Sequence, residues 1–241
     1  GVAQGLYYNP LLPVYLFPPS ENFERLKTYE IYDSGRNFAT MYWPYSNTGL
    51  DALSQNPYWI TNRIRSKSLR NRVMTSFTAD WKVNGWLRLK ARGNVDYVND
   101  KVRQKFYAST APALAGANGR YIESSYSETL FNGELLAMFD KRLSPDWEFS
   151  ATAGAGLNDR TVNSLRIDSK TASLYFPNVF NVANIVMNGS AYVDEQIDAR
   201  RQTQSLFATA SFKYAGSLNF EVTGRNDWAS TLAYTCLLYT S

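Results

Sequence analysis

The stretch "WLRLKARGNVDY", Trp86 to Tyr97, alternates without a slip. Leu87, Leu89, Ala91, Gly93, Val95 and Tyr97 take one parity, and Arg88, Lys90, Arg92, Asn94 and Asp96 take the other. A period of two is the pattern of a strand with two unlike sides. The preceding run "RVMTSFTADW" behaves the same way, with Val73, Thr75, Phe77, Ala79 and Trp81 opposite Arg72, Ser76, Thr78 and Asp80, Met74 being the exception. "KVNG", Lys82 to Gly85, joins the two runs, and its Asn-Gly pair predicts a tight hairpin turn.

Two further hairpins follow. "TLFNGELLAMFDKRL", Thr129 to Leu143, leads through the turn "SPD" into "WEFSATAGAGLND", where Trp147, Phe149, Ala151, Ala153, Ala155 and Leu157 share one face. "QSLFATASFKY" places Leu206, Ala208, Ala210, Phe212 and Tyr214 together, turns at "AGS", and continues with Leu218, Phe220 and Val222 opposite Asn219, Glu221 and Thr223. The runs are on the order of 10–13 residues, against the usual 5–6 of a soluble sheet. Short turns within hairpins contrast with the long links Val98–Glu128 and Asp159–Thr203. Trp81, Trp86, Trp147 and Tyr214 all flank the short turns, as an interfacial girdle requires. The fold class expected is all-β: part of the wall of an antiparallel transmembrane β-barrel, a slice of a large one, with short turns on one side and long loops on the other. Leu87, Leu89, Ala91 and Val95 then face lipid, and Arg88, Lys90 and Arg92 form a basic row facing the lumen.

Composition excludes other classes. The 241 residues carry a net charge of +4 with no dense basic run, which argues against nucleic acid as a partner. No stretch approaches the roughly 18 apolar residues of a membrane helix, and no signal peptide is recognised. With no histidine, the chain holds no Ser-His-Asp triad, Cys-His pair or His-ligated metal. An outer-membrane barrel protease or lipase is disfavoured for that reason, and the expectation is a protein that is not an enzyme, with no cofactor and no metal. The lone cysteine opens "CLLYTS", Cys236–Ser241, which is similar to the translation of a transposon-based sequencing adapter, TGT CTC TTA TAC ACA TCT. The expected organisation is therefore a mainly extracellular loop region with short strands over residues 1–71, barrel hairpins over 72–235, and a non-native tail over 236–241, in a fragment open at both ends.

"VTGRNDWASTL", Val222 to Leu232, and "QNPYWITNRIRSKSLRNRV", Gln55 to Val73, resemble segments of the SusC/RagA family of TonB-dependent outer-membrane transporters, and "YYNPLLPVYLFPP", Tyr7 to Pro19, is a looser third match. The resemblance implies a barrel of roughly 22 strands with an internal plug, a SusD-like surface lipoprotein as partner, and TonB-driven import of glycans or peptides across the bacterial cell outer membrane. No plug or TonB-contact segment is found in this chain, so the TonB complex would be engaged elsewhere in the protein. A soluble carbohydrate-binding β-sandwich or another kind of outer-membrane barrel, including a phage receptor or adhesin, is the competing reading.

Trp43, Tyr45 and Trp59 lie in the aromatic motifs "YWPY" and "NPYW" and are candidate substrate or lipoprotein contacts, since rings stack on sugar faces; packing of the loop on itself competes. Arg88, Lys90 and Arg92 could take an anion, but pairing with carboxylates of the plug or of neighbouring strands is expected instead. "KVRQK", Lys101–Lys105, reads as a solvated strand end or loop. "GAGLND", Gly154–Asp159, lacks the strand-to-helix setting of a phosphate loop, and "GRND", Gly224–Asp227, has too few acids for calcium.

Overall fold

The computed structural model describes residues 9–15, 17–45, 55–187 and 190–230. The tail 236–241, the opening of the Tyr7–Pro19 motif and the last two residues of Val222–Leu232 lie outside them. Helices α1 (Leu11–Tyr15) and α2 (Pro57–Arg63) and a two-stranded ribbon, β1 (Glu30–Asp33) and β2 (Phe38–Met41), precede six long strands: β3 (Ile64–Lys82), β4 (Leu87–Phe106), β5 (Arg120–Arg142), β6 (Trp147–Asp168), β7 (Tyr192–Tyr214) and β8 (Leu218–Ala229). The six form one sheet in the order β3-β4-β5-β6-β7-β8, each strand beside its chain neighbour and the two end strands unjoined. The architecture is an open slice of antiparallel barrel wall. The chain divides into two compact units, one of residues 1–70, 100–126 and 164–195, the other of residues 71–99, 127–163 and 196–241.

The second unit contains all three hairpins and is two-faced. In β7–β8 the register pairs Ala210 with Val222, Phe212 with Phe220 and Tyr214 with Leu218 on one side. It pairs Phe207 with Arg225, Thr209 with Thr223 and Ser211 with Glu221 on the other. The alternation read in the sequence is thus the alternation of the sheet. Rings on the apolar face touch from strand to strand: Trp86 to Phe139 (4.9 Å between centroids), Phe139 to Phe149 (5.6 Å), Phe149 to Phe212 (4.7 Å) and Trp147 to Tyr214 (4.8 Å). They make an aromatic line beside the short turns. Beyond it the apolar parity carries no charge along 73–81, 87–97, 131–139, 147–157, 206–214 and 218–222. It then becomes polar at Asn71, Asn99, Thr129, Asp159, Gln204 and Asn226. Most of these runs have the length of a bilayer-crossing strand, about 9–11 residues at 45° tilt. Phe77, Leu135, Leu206 and Phe220 on this face are all more than half exposed.

The turns are as short as expected but differ in chemistry. In "KVNG" the Asn84 side chain accepts from Trp86 N at 3.0 Å and Leu87 N at 2.9 Å, so the side chain organises the turn. Left-handed backbone appears instead at Ala215 (φ 49°) and Gly216 (φ 71°), two consecutive positive φ values that match the twist of a hairpin.

The first unit is built on buried polar hubs. Asn56 caps α2 by accepting from Tyr58 N at 2.9 Å, with Pro57 pre-set at the first helical position. Its amide also donates to Leu26 O (2.9 Å) and Tyr42 O (3.2 Å), tying three segments together. Asn184 does the same for the β6–β7 connection, donating to Phe176 O and Val179 O at 2.8 and 2.7 Å. Two small apolar clusters, Phe106–Ala115–Ile122 and Tyr121–Leu174–Ile185, complete the packing. At Gly119 (φ 104°) a Cβ would lie 2.5 Å from Phe106 O, so only glycine fits.

The strands run further than the alternation indicated. β3 starts at Ile64, not Arg72, and "KVRQK" lies inside β4. The links between hairpins shrink to residues 107–119 and 169–191. Where both faces of a strand meet polar surroundings, side-chain polarity no longer reports the period, and these strand ends read as loop.

Candidate functional site

The polar face of the second unit is the largest constellation of chemistry-bearing side chains, and its charges are matched across neighbouring strands. Arg72 grips Asp96 with two hydrogen bonds, at 2.9 and 2.5 Å. Arg88 lies 3.6 Å from Asp80, and Arg92 pairs with Glu134 at 2.5 Å. Arg160 pairs with Glu128, and Arg142 with Glu148 at 2.9 Å. Arg225 holds Asp227 two residues along its own strand at 2.9 Å. So two of the three residues in the basic row have neighbouring-strand carboxylates, and Lys90 has no ion-pair partner among the described residues. Each half-exposed pair contributes only about 0–1 kcal/mol. Their joint effect is to bring the face close to electroneutrality, which makes it a poor trap for an anion.

Between these pairs lies a trough of about 490 Å³, lined by Arg92, Asn132, Glu134, Asn158, Ser205 and Arg225 among others. Asn158 donates to Asn132 across the β5–β6 pair. Gly93, Gly133 and Gly156 are part of its lining. Beside it, at Gly154, a Cβ would lie 2.3 Å from Phe207 Cζ and 2.8 Å from Leu136 Cδ2, so the Phe207 ring occupies the space a side chain would fill. Gly156 leaves the matching gap under Ser205. The "GAGLND" glycines therefore admit a ring and a groove, not a phosphate. Gly154→Val is expected to destabilise the full-length barrel by about 1–3 kcal/mol through overpacking. Phe207→Ala should recover part of that loss in a double-mutant cycle read by urea unfolding from vesicles. Strict additivity would contradict the contact.

In the first unit the buried charge is Asp168, only 2% exposed. Arg120 donates to both of its oxygens at 2.8 Å, Lys170 N donates at 2.8 Å, and Arg166 approaches at 3.3 Å. Arg120 also donates to Leu114 O at 2.9 Å and stacks over Phe106. Asp168 closes β6 eleven residues past Leu157, outside the uncharged band. Burial alone would raise its pKa, but Arg120 together with the Lys170 N–H and Arg166 outweighs burial and holds it below the ordinary value. A carboxylate depressed in the fold stabilises it above the unfolded pKa of about 3.9 and loses that contribution as pH falls through the lowered folded value. Amide exchange over residues 107–119 and 169–187, corrected for intrinsic rates, is therefore expected to quicken between pH 6 and pH 3. Unchanged protection would contradict it.

The aromatic candidates fare differently. Trp59 is fully buried, with Nε1 donating to Thr110 Oγ1 at 3.1 Å, and so it is core and not a contact surface. The motif "NPYW" puts it on the inward side of α2, where a ring is worth more in packing than at the surface. Trp43 and Tyr45 are half-buried and touch each other (5.4 Å); Tyr45 also meets Phe17 (5.0 Å). They belong to a different compact unit from Arg88, Lys90 and Arg92. Residues that the sequence reading missed are the hub asparagines Asn56 and Asn184, and Asn118, whose amide donates to Leu174 O at 2.7 Å. Only the first had a legible signal, asparagine before proline at a helix start. Among the described residues there is no cluster of three or more acids, histidines or cysteines able to hold a metal.

No protein-family model and no curated protein sequence matches the chain. Solved structures do. The RagAB peptide transporter aligns with TM-score 0.67 and 16% identity over 80% of this chain and 21% of its own. The RagAB peptide importer in its "open-open" state aligns at 0.64 and 16% (79% and 20% covered). In its "closed-closed" state it aligns at 0.65 and 17% (85% and 22% covered). The chain thus spans about a fifth of the length of the transporter chains it matches. The expected likeness to a SusC/RagA-type barrel holds at the level of fold: this chain is built as a slice of such a wall.

Proposed function

We propose that this chain is part of the barrel of an outer-membrane importer of the SusC/RagA type. The single observation that carries the reading is the two-sided sheet: an uncharged face bounded by an aromatic line and a polar row, backed by an ion-paired face. A barrel wall needs both, lipid outside and water inside, with every backbone group paired along closed ladders. A β-sandwich would cover the apolar face with a second sheet, and the described residues of this unit include none.

On this reading the chain does no chemistry. Its polar face lines a hydrated lumen, and its first unit belongs to the extracellular loops. Oligosaccharide or peptide would be captured there with a SusD-like lipoprotein and passed inward in a TonB-dependent step. The peptide alternative has the support of the structural neighbours, which are peptide transporters by name. The test is uptake by cells carrying the full-length protein. Deleting a lipoprotein gene adjacent to its reading frame, or disrupting TonB, should each abolish accumulation of labelled oligopeptide. Uptake that survives both deletions defeats the proposal.

A further inference from the structure

In the first unit, the outer ends of β3 and β4 set cation against cation. Tyr107 N donates to Arg63 O at 3.1 Å, and Arg70 meets Asp100 at 2.6 Å, so the two strands hold one register over this stretch. That register puts Arg65 opposite Lys105 and Lys67 opposite Arg103. Like charges directly opposite each other on antiparallel strands destabilise the pair. Lys101, the next residue of β4 on the same side, adds a further cation. Ile64 and Phe106 pack together on the other side, so these cations point away from that cluster. The acid facing them from β5 is Glu123, shared between Arg103 at 2.9 Å and the Tyr121 hydroxyl at 2.8 Å. Lys105 lies over the Phe180 ring. Arg65, Lys67 and Lys101 are exposed and make no ion pair among the described residues. Elsewhere on the six strands the arginines named above have carboxylate partners.

We propose that Arg65, Lys67, Lys101 and Arg103 bind the phosphate group of an outer-leaflet lipid. The inference rests on the barrel reading and adds a specific site to it. Along β3 and β4 these residues share the parity of the uncharged runs 73–81 and 87–97, and Lys101 comes four residues after Tyr97. Four residues at about 3.3 Å each, tilted about 45°, rise roughly 9 Å. The headgroup layer adds roughly 5–8 Å to each side of the hydrocarbon core, within reach of long cationic side chains. A phosphate supplies the missing negative charge and several acceptor oxygens, and so relieves the opposition of Lys67 and Arg103. Acyl chains attached to it would lie along the uncharged runs, which a free anion leaves unused.

The test is native mass spectrometry of the full-length barrel in mild detergent, titrated with monophosphoryl lipid A and, in parallel, with the same lipid stripped of its phosphate. Wild type should hold the phosphorylated form more tightly. Lys67→Gln with Lys101→Gln should weaken that binding about twentyfold, roughly fivefold for each cation beside an anionic headgroup. Lys213→Gln, an exposed cation of the opposite parity on β7, should leave it unchanged. In lipid-free detergent Lys67→Gln should also raise the temperature at which heat-modified migration is lost, because Arg103 no longer faces a like charge. Equal retention of the two lipid forms, or of the phosphorylated form by wild type and double variant, overturns the site and leaves the barrel reading intact. So does a lower heat resistance of Lys67→Gln, which would place a carboxylate of the protein itself at Lys67. So does inorganic phosphate that binds as tightly as the lipid. A full-length protein that stays monomeric in water without detergent overturns both.

Discussion

Ala153→Arg is expected to prevent assembly of the full-length barrel, whereas Thr152→Arg, one residue earlier, should be tolerated. Ala153 lies midway along β6 on the uncharged face and is exposed; Thr152 lies on the face that carries Arg92, Glu134 and Arg225. A guanidinium near the bilayer midplane costs about 2–4 kcal/mol, comparable with much of a domain's net stability of about 5–15 kcal/mol. On the polar face the same group meets water and acids. The measurement is the folded fraction in urea-extracted outer membranes, read by heat-modified migration. Equal loss from both substitutions would contradict the two-sided sheet.

The second large effect is expected at Asp168. Asp168→Ala leaves Arg120, whose side chain is 15% exposed, without its bidentate partner. Removing one member of a buried pair typically costs about 3–5 kcal/mol, because the remaining charge stays desolvated. Arg120 also bonds the Leu114 carbonyl, so the loss should spread to the 107–119 connection. Faster amide exchange confined to 107–119, 169–187 and the adjoining strand ends is the expected pattern. Asp168→Asn should fall between, since one oxygen can still accept from Lys170 N. Protection equal to wild type in Asp168→Ala would show that the pair is dispensable.

Much of this architecture was legible in the sequence because one side of each strand in the second unit has a single task. Leu206, Ala208, Ala210, Phe212 and Tyr214 share the apolar side, and their β8 partners fall on the same side. The outer strand ends obeyed no such rule. Asp100 is held by Arg70 and Glu123 by Arg103, pairs made between strands where neither face is uniformly apolar. Tyr121 and Phe106 turn into local cores at those ends, so the period-two pattern dissolves just where the strands continue. The basic row was legible as a row, and its partners Asp80 and Glu134 were not, because pairing depends on register between strands. Trp59 shows the converse: an aromatic in a loop-like motif became fully buried through a capped helix that composition concealed.

The most direct measurement is a cysteine scan of β6 from Trp147 to Asn158 in the full-length barrel reconstituted in vesicles. Each site carries a nitroxide, read by its collision with oxygen and with a water-soluble nickel chelate. A period of two is expected: Phe149, Ala151, Ala153 and Ala155 positions favour oxygen, and Glu148, Ser150, Thr152 and Asn158 positions favour the chelate. Uniform access of the chelate to both sets, or no alternation at all, would contradict it.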